Sequence, residues 1–66
     1  MTAAPANRLR DLRRRRALSR TELARDLGVS SRTLRAIETG AYTPSLTLAL
    51  RLARLLELPV ETVFQP

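Results

Sequence analysis

Arg32 and Arg35 stand three residues apart in the segment Ser30-Ser31-Arg32-Thr33-Leu34-Arg35-Ala36-Ile37-Glu38-Thr39. At 100° per residue, Arg32, Arg35, Ala36 and Thr39 share one side of a helix and Leu34, Ile37 and Glu38 the other. Ser31 sits at the exposed N-terminal corner. Two guanidinium forks, hydroxyls and no long apolar group form a face that can donate to phosphate oxygens and to base edges. The competing reading is an ordinary solvated helix face. Turnover chemistry finds little to work with. The chain has no cysteine and no histidine, which removes the thiolate, the commonest general base and the commonest metal ligand. No nucleophile–base constellation or metal-ligand set remains, so the expectation is no enzyme, no cofactor and no metal.

A face of this kind is useful only on a helix that is firmly held. Ser19 and Glu22 form an S-x-x-E capping box, flanked by Leu18 and Leu23 at staple spacing. Leu23, Ala24 and Leu27 give that helix one apolar face, and Gly28 sits where it ends in the left-handed conformation. Ser30 caps the next helix, Val29 and Leu34 repeat the staple, and Gly40 stops it. Two capped helices joined by so tight a turn make a helix-turn-helix, whose second helix can be presented to a DNA major groove. Around it, Asn7 can cap a first helix running to about Arg16, with Leu9 and Leu12 inward. Ala41-Tyr42-Thr43-Pro44 is a loop, and Ser45 caps a fourth helix from Leu46 to about Glu57. After Pro59, Val60 to Gln65 should add a last turn or two, with Val63 and Phe64 closing the core. The expected fold is all-α: a flexible tail over residues 1–6 and one five-helix domain over 7–65.

Twelve basic residues, all arginine, oppose six acids in 66 residues, for a net charge of +6. The surplus attracts a polyanion, although charge alone does not separate DNA, RNA and an acidic membrane. No apolar run approaches a bilayer span or signal peptide, so the expectation is a soluble, cytoplasmic protein, on the nucleoid when bound to DNA. Arg13 and Glu38 both fall inside the apolar stripes of their helices. Either they pair across the core, locking the first helix to the third, or Arg13 snorkels and Glu38 tolerates a half-buried place. The run Arg13-Arg14-Arg15-Arg16 resembles a nucleic-acid tract, yet on a helix its members point four ways. Arg14 then lies with Arg10 on one exposed strip, and Arg15 is solvated.

The fourth helix is too apolar for the outside of a monomer. Leu46, Ala49, Leu50 and Ala53 face one way, and Leu48, Leu52, Leu55 and Leu56 widen the stripe, leaving Thr47, Arg51 and Arg54 as a polar wedge. Part of it must be central to the bundle. The remainder, with Val60 and Phe64, suggests a two-fold interface with a second copy.

The set Arg13…Leu18-Ser19…Glu22-Leu23-Ala24…Gly28-Val29-Ser30…Leu34…Ile37-Glu38…Gly40…Pro44-Ser45…Leu50…Ala53…Leu56…Val63-Phe64 resembles the Cro/C1-type helix-turn-helix family (Xre group) of phage and bacterial repressors, especially its short stand-alone members. The resemblance covers Asn7 to Gln65. It implies a lambda-repressor-like, five-helix domain that binds double-stranded DNA as a homodimer on a palindromic operator. The family's phosphate-contacting position falls on Arg20. Its base-reading positions fall on Ser31, Arg32 and Ala36, with Arg35 adjacent and Ser30 beside them. Its later backbone contacts fall on Thr39 and Tyr42, and its buried ion pair on Arg13 and Glu38.

Several positions depart from the family pattern. Arg20 stands where glutamine is common, which should favour phosphate or guanine. Ala36 can offer only a methyl contact to thymine. Ala17 and Leu58 replace common turn glycines, so those turns should use right-handed or extended backbone. The sequence stops at Gln65-Pro66, without the added residues with which some short relatives build an interface strand, which leaves the dimer geometry open. The expected function is a sequence-specific transcriptional regulator, most simply a repressor. The alternatives are an antitoxin-like autoregulator, against which the lack of an acidic tail weighs, and a protein-interaction adaptor that has lost DNA binding.

Overall fold

The structure is a computed structural model and describes residues 8–64. The expected tail, the Asn7 cap and Gln65 lie outside the described residues. Five helices follow in order: α1 (Leu9–Arg15), α2 (Arg20–Leu27), α3 (Ser31–Thr39), α4 (Leu46–Leu56) and α5 (Val60–Val63). No strand occurs among the described residues. Helices this short are marginal in isolation, so their ends and their packing must hold them.

The starts follow the serines. Ser19 Oγ accepts the Glu22 amide at 3.0 Å, and the Glu22 carboxylate accepts the Ser19 amide at 2.9 Å, completing the box at α2. The Ser19 amide foremost, and the Ser19 hydroxyl after it, hold the Glu22 carboxyl below its ordinary value. Its support for α2 is therefore present above the usual carboxylate range and fades as pH falls through the depressed value. Ser30 Oγ and Ser45 Oγ accept the Thr33 and Leu48 amides at 3.0 and 3.1 Å.

The ends of α1 to α4 share one device, the Schellman pair of crossed amide bonds. Leu18, Val29, Ala41 and Leu58 donate to the carbonyls of Arg13, Ala24, Ala36 and Ala53, five residues back. The residue before each donor is Ala17, Gly28, Gly40 or Glu57, and all four have positive φ. Gly28 and Gly40 adopt it cheaply, at φ 88° and 83°. Ala17 and Glu57 hold φ 58° against the steric cost of a Cβ. The expectation of right-handed or extended backbone fails at Ala17, and the left-handed residue of the second turn is Glu57 rather than Leu58. The reason is burial. Leu18 and Leu58 pack against the core, and only a left-handed residue just before them turns the chain back far enough.

Leu9, Leu23, Leu27, Leu34, Ile37, Leu52, Leu56 and Val63 are fully buried and form the centre of that core. There α2 packs on both α3 and α4, and α4 also packs on α5. The Arg8 amide donates to the Val63 carbonyl at 2.9 Å, tying the start of α1 to the end of α5. On α4 the buried stripe runs through Ala49, Leu52, Ala53 and Leu56, leaving Leu46 at 72% and Leu50 at 48% exposed.

Ala17→Gly removes the Cβ that the left-handed turn strains. It should stabilise the domain by about 1 kcal/mol, read as a higher midpoint in thermal or urea unfolding.

Candidate nucleic-acid interface

The turn between α2 and α3 is only Gly28-Val29-Ser30. Val29 packs on the core, while Leu34 and Ile37 seat α3 on α2. The inner edge of α3 carries Glu38, only 5% exposed, with Arg13 7% exposed opposite it. Arg13 Nε donates to Glu38 Oε2 at 2.6 Å and Nη2 to Oε1 at 3.5 Å. Its third nitrogen, Nη1, donates to the Leu18 carbonyl at 2.9 Å. One guanidinium thus joins α1, the α1–α2 turn and α3. Among the described residues no buried side-chain nitrogen or oxygen lacks a partner, the condition under which a buried ion pair is tolerable.

Glu38 holds a second arginine. Arg20 Nε donates to Oε1 at 3.3 Å from the first turn of α2. The sequence assigned Arg20 to phosphate or guanine, and this bond was missed. A carboxylate has about four acceptor positions, and Arg13 fills only two, which was the available signal. The Arg20 side chain remains 34% exposed, so its outer edge still faces solvent.

The outward face of α3 presents Arg32 and Arg35, both exposed, with the half-buried Ala36 one turn after Arg32. Ser31 Oγ lies 3.5 Å from Thr21 Oγ1 and links the first turn of α3 to α2. Thr39 Oγ1 donates to the Ala36 carbonyl at 3.2 Å, the carbonyl that also accepts the Ala41 and Tyr42 amides. That anchors the loop from which Tyr42, 48% exposed, extends. Ser30 caps α3 as the sequence predicts. Its hydroxyl accepts the Thr33 amide and lies 3.0 Å from Thr33 Oγ1. Arg8, Arg10 and Asp11 of α1 gather with Arg20, Arg35 and Thr39 around a concavity of about 690 Å³, a grouping the sequence reading did not foresee. Arg14 of the expected strip does not line it.

Among the described residues no group of acids could hold a metal ion, and no helix is long and apolar enough to cross a membrane. What the site offers is a convex, arginine-bearing helix with a hydroxyl rim. The family model for a helix-turn-helix domain matches residues 6–63. The chain is 40% identical over 58 residues to the HTH-type transcriptional regulator YgzD of Bacillus subtilis, covering 88% of each. It is 41% identical over 58 residues to an HTH-type transcriptional regulator of Methanocaldococcus jannaschii, again 88% of each. The crystal structure of the restriction-modification controller protein C.AhdI from Aeromonas hydrophila superposes with a TM-score of 0.78, at 32% identity over 85% of each chain.

Glu38→Ala strands two arginines, one of them buried. It should cost about 3–5 kcal/mol, a large part of what a domain of this size possesses, and appear as a collapse of the far-UV circular dichroism melting transition.

Proposed function

From the premise that this chain belongs to the helix-turn-helix domain family and is a DNA-binding transcriptional regulator, we propose that it is a repressor that reads a palindromic operator as a homodimer. The observation that carries this reading is the rigid outward face of α3, with Arg32 and Arg35 exposed and both helix ends capped. Arg32 lies in the first turn, where a helix in the major groove comes nearest the bases. Its fork suits the O6 and N7 acceptors of guanine. Ala36 offers its methyl group to thymine, and Ser31, Arg35, Thr39 and Tyr42 line the path of the backbone. The outer edge of Arg20 takes a phosphate at the start of α2. Such a target places the protein in the cytoplasm, on the nucleoid.

The apolar surface of the C-terminal third supports the dimer. Exposed Leu46 lines a groove of about 360 Å³ with Pro44, Ala49, Val60 and Phe64, and Leu50 is a further exposed leucine of α4. A second copy related by a two-fold axis would bury this surface and repeat α3 roughly 34 Å away, one turn of B-DNA.

Selection from random duplexes should return an inverted repeat for the wild-type protein. Arg32→Ala should relax one G·C position in each half-site, losing about 1–3 kcal/mol of discrimination. An unchanged consensus would make Arg32 a backbone contact. Sedimentation at saturation should find two protomers per selected site, whereas a single protomer on unrepeated sites overturns the dimer.

A further inference from the structure

The concavity between α1, α2 and α3 brings four arginines, Arg8, Arg10, Arg20 and Arg35, around two carboxylates, Asp11 and the buried Glu38. Glu38 is no counter-ion for all of them, because Arg13 and Arg20 Nε already occupy it. With Nε bound there, Arg20 is pre-oriented and keeps its Nη edge for another acceptor. Arg8, Arg10 and Arg35 are exposed. Four guanidinium groups against two carboxylates, one of them also held by Arg13, leave the concavity with a cationic excess that favours an added anion. Arg35 and Thr39 belong both to this basin and to the outward side of α3, so a duplex lying along α3 passes over it.

We propose that this basin seats one phosphate diester of the DNA backbone, that Arg8 and Arg10 make α1 a second backbone-contacting element, and that Asp11 limits affinity there. This rests on the DNA-binding reading above and extends it to α1. Asp11 stands in the first turn of α1, where a carboxylate favours the helix N-terminus, yet it lines the basin and repels the phosphate. The acid therefore works against binding at a place where four arginines gather. It keeps the backbone term low relative to base readout, because a phosphate contact strengthens every sequence alike. Arg13, shared between α1 and Glu38, holds α1 in register with α3, so the two sides of the seat move as one body.

The test uses a duplex of scrambled sequence, which isolates backbone contacts, with affinity read by fluorescence anisotropy at low salt. Asp11→Asn should tighten binding about three- to tenfold. Glu61→Gln, which removes the same charge from α5, should change it by less than about twofold. Arg10→Ala should weaken binding and reduce the slope of log affinity against log salt by about 1. Equal effects of Asp11→Asn and Glu61→Gln would show that only net charge matters and overturn the seat. Replacing chloride by inorganic phosphate at constant ionic strength should leave affinity unchanged. Displacement of the duplex by submillimolar phosphate would assign the basin to a free phosphate ligand and overturn the backbone assignment. A wild-type protein that binds no duplex at all overturns the DNA-binding reading itself, an outcome distinct from the other two.

Discussion

Glu38 is an anion at 5% exposure beside a core of ten buried apolar side chains, and the relative placement of three helices follows from satisfying it. A buried carboxylate without partners would cost more than a domain of this size can lose. Arg13 comes to it from α1 and Arg20 from α2, while Glu38 itself rides on α3. The third nitrogen of Arg13 reaches the Leu18 carbonyl, so the same ion also fixes the turn that launches α2. Apolar packing alone would let α3 slide or rotate against α2 with little penalty. A pair with defined hydrogen-bond geometry does not, and the outward direction of Arg32 and Arg35 depends on that.

Repetition of one helix-ending device explains how so short a chain turns so often. At each of the four turns a single left-handed residue lets an amide reach back five positions, and at three of them the donor, Leu18, Val29 or Leu58, packs its side chain against the core. Leu18 and Val29 serve twice, closing one helix and preceding the N-cap serine of the next. The two glycines supply this geometry at little cost, whereas Ala17 and Glu57 carry strain that burial of Leu18 and Leu58 offsets. The exposed Arg16–Glu57 pair at 3.3 Å adds little beside these terms.

Arginine does different work according to what surrounds it. Arg13 is a structural cation with every donor group engaged toward the protein interior. Arg20 is half structural, its Nε bound inward and its remainder open to solvent. Arg32 and Arg35 are exposed on the convex face. Lysine could supply the charge in all of these places but not the two-sided bonding that lets Arg20 brace α3 and still present donors outward.

The sequence by itself determined what depends on interactions between residues a turn or two apart. The Ser19–Glu22 box, the caps at Ser30 and Ser45, and the stops at Gly28 and Gly40 are local chemistry, with partners three to five residues away, and they set the helices and their order. The side of α3 that faces outward was also legible, since Leu34 and Ile37 define the inner stripe. Tertiary structure decided the rest. The left-handed turns at Ala17 and Glu57 have no residue-type signature, because packing of the following Leu18 and Leu58 against the assembled core imposes them. Arg20 became a partner of Glu38, eighteen residues away, only when α2 crossed α3. Arg8, Arg10 and Asp11 share a basin with Arg35 only because helix packing carries α1 to the edge of α3. Spacing along a chain fixes which face of a helix a side chain occupies, but distance between helices depends on how those faces pack.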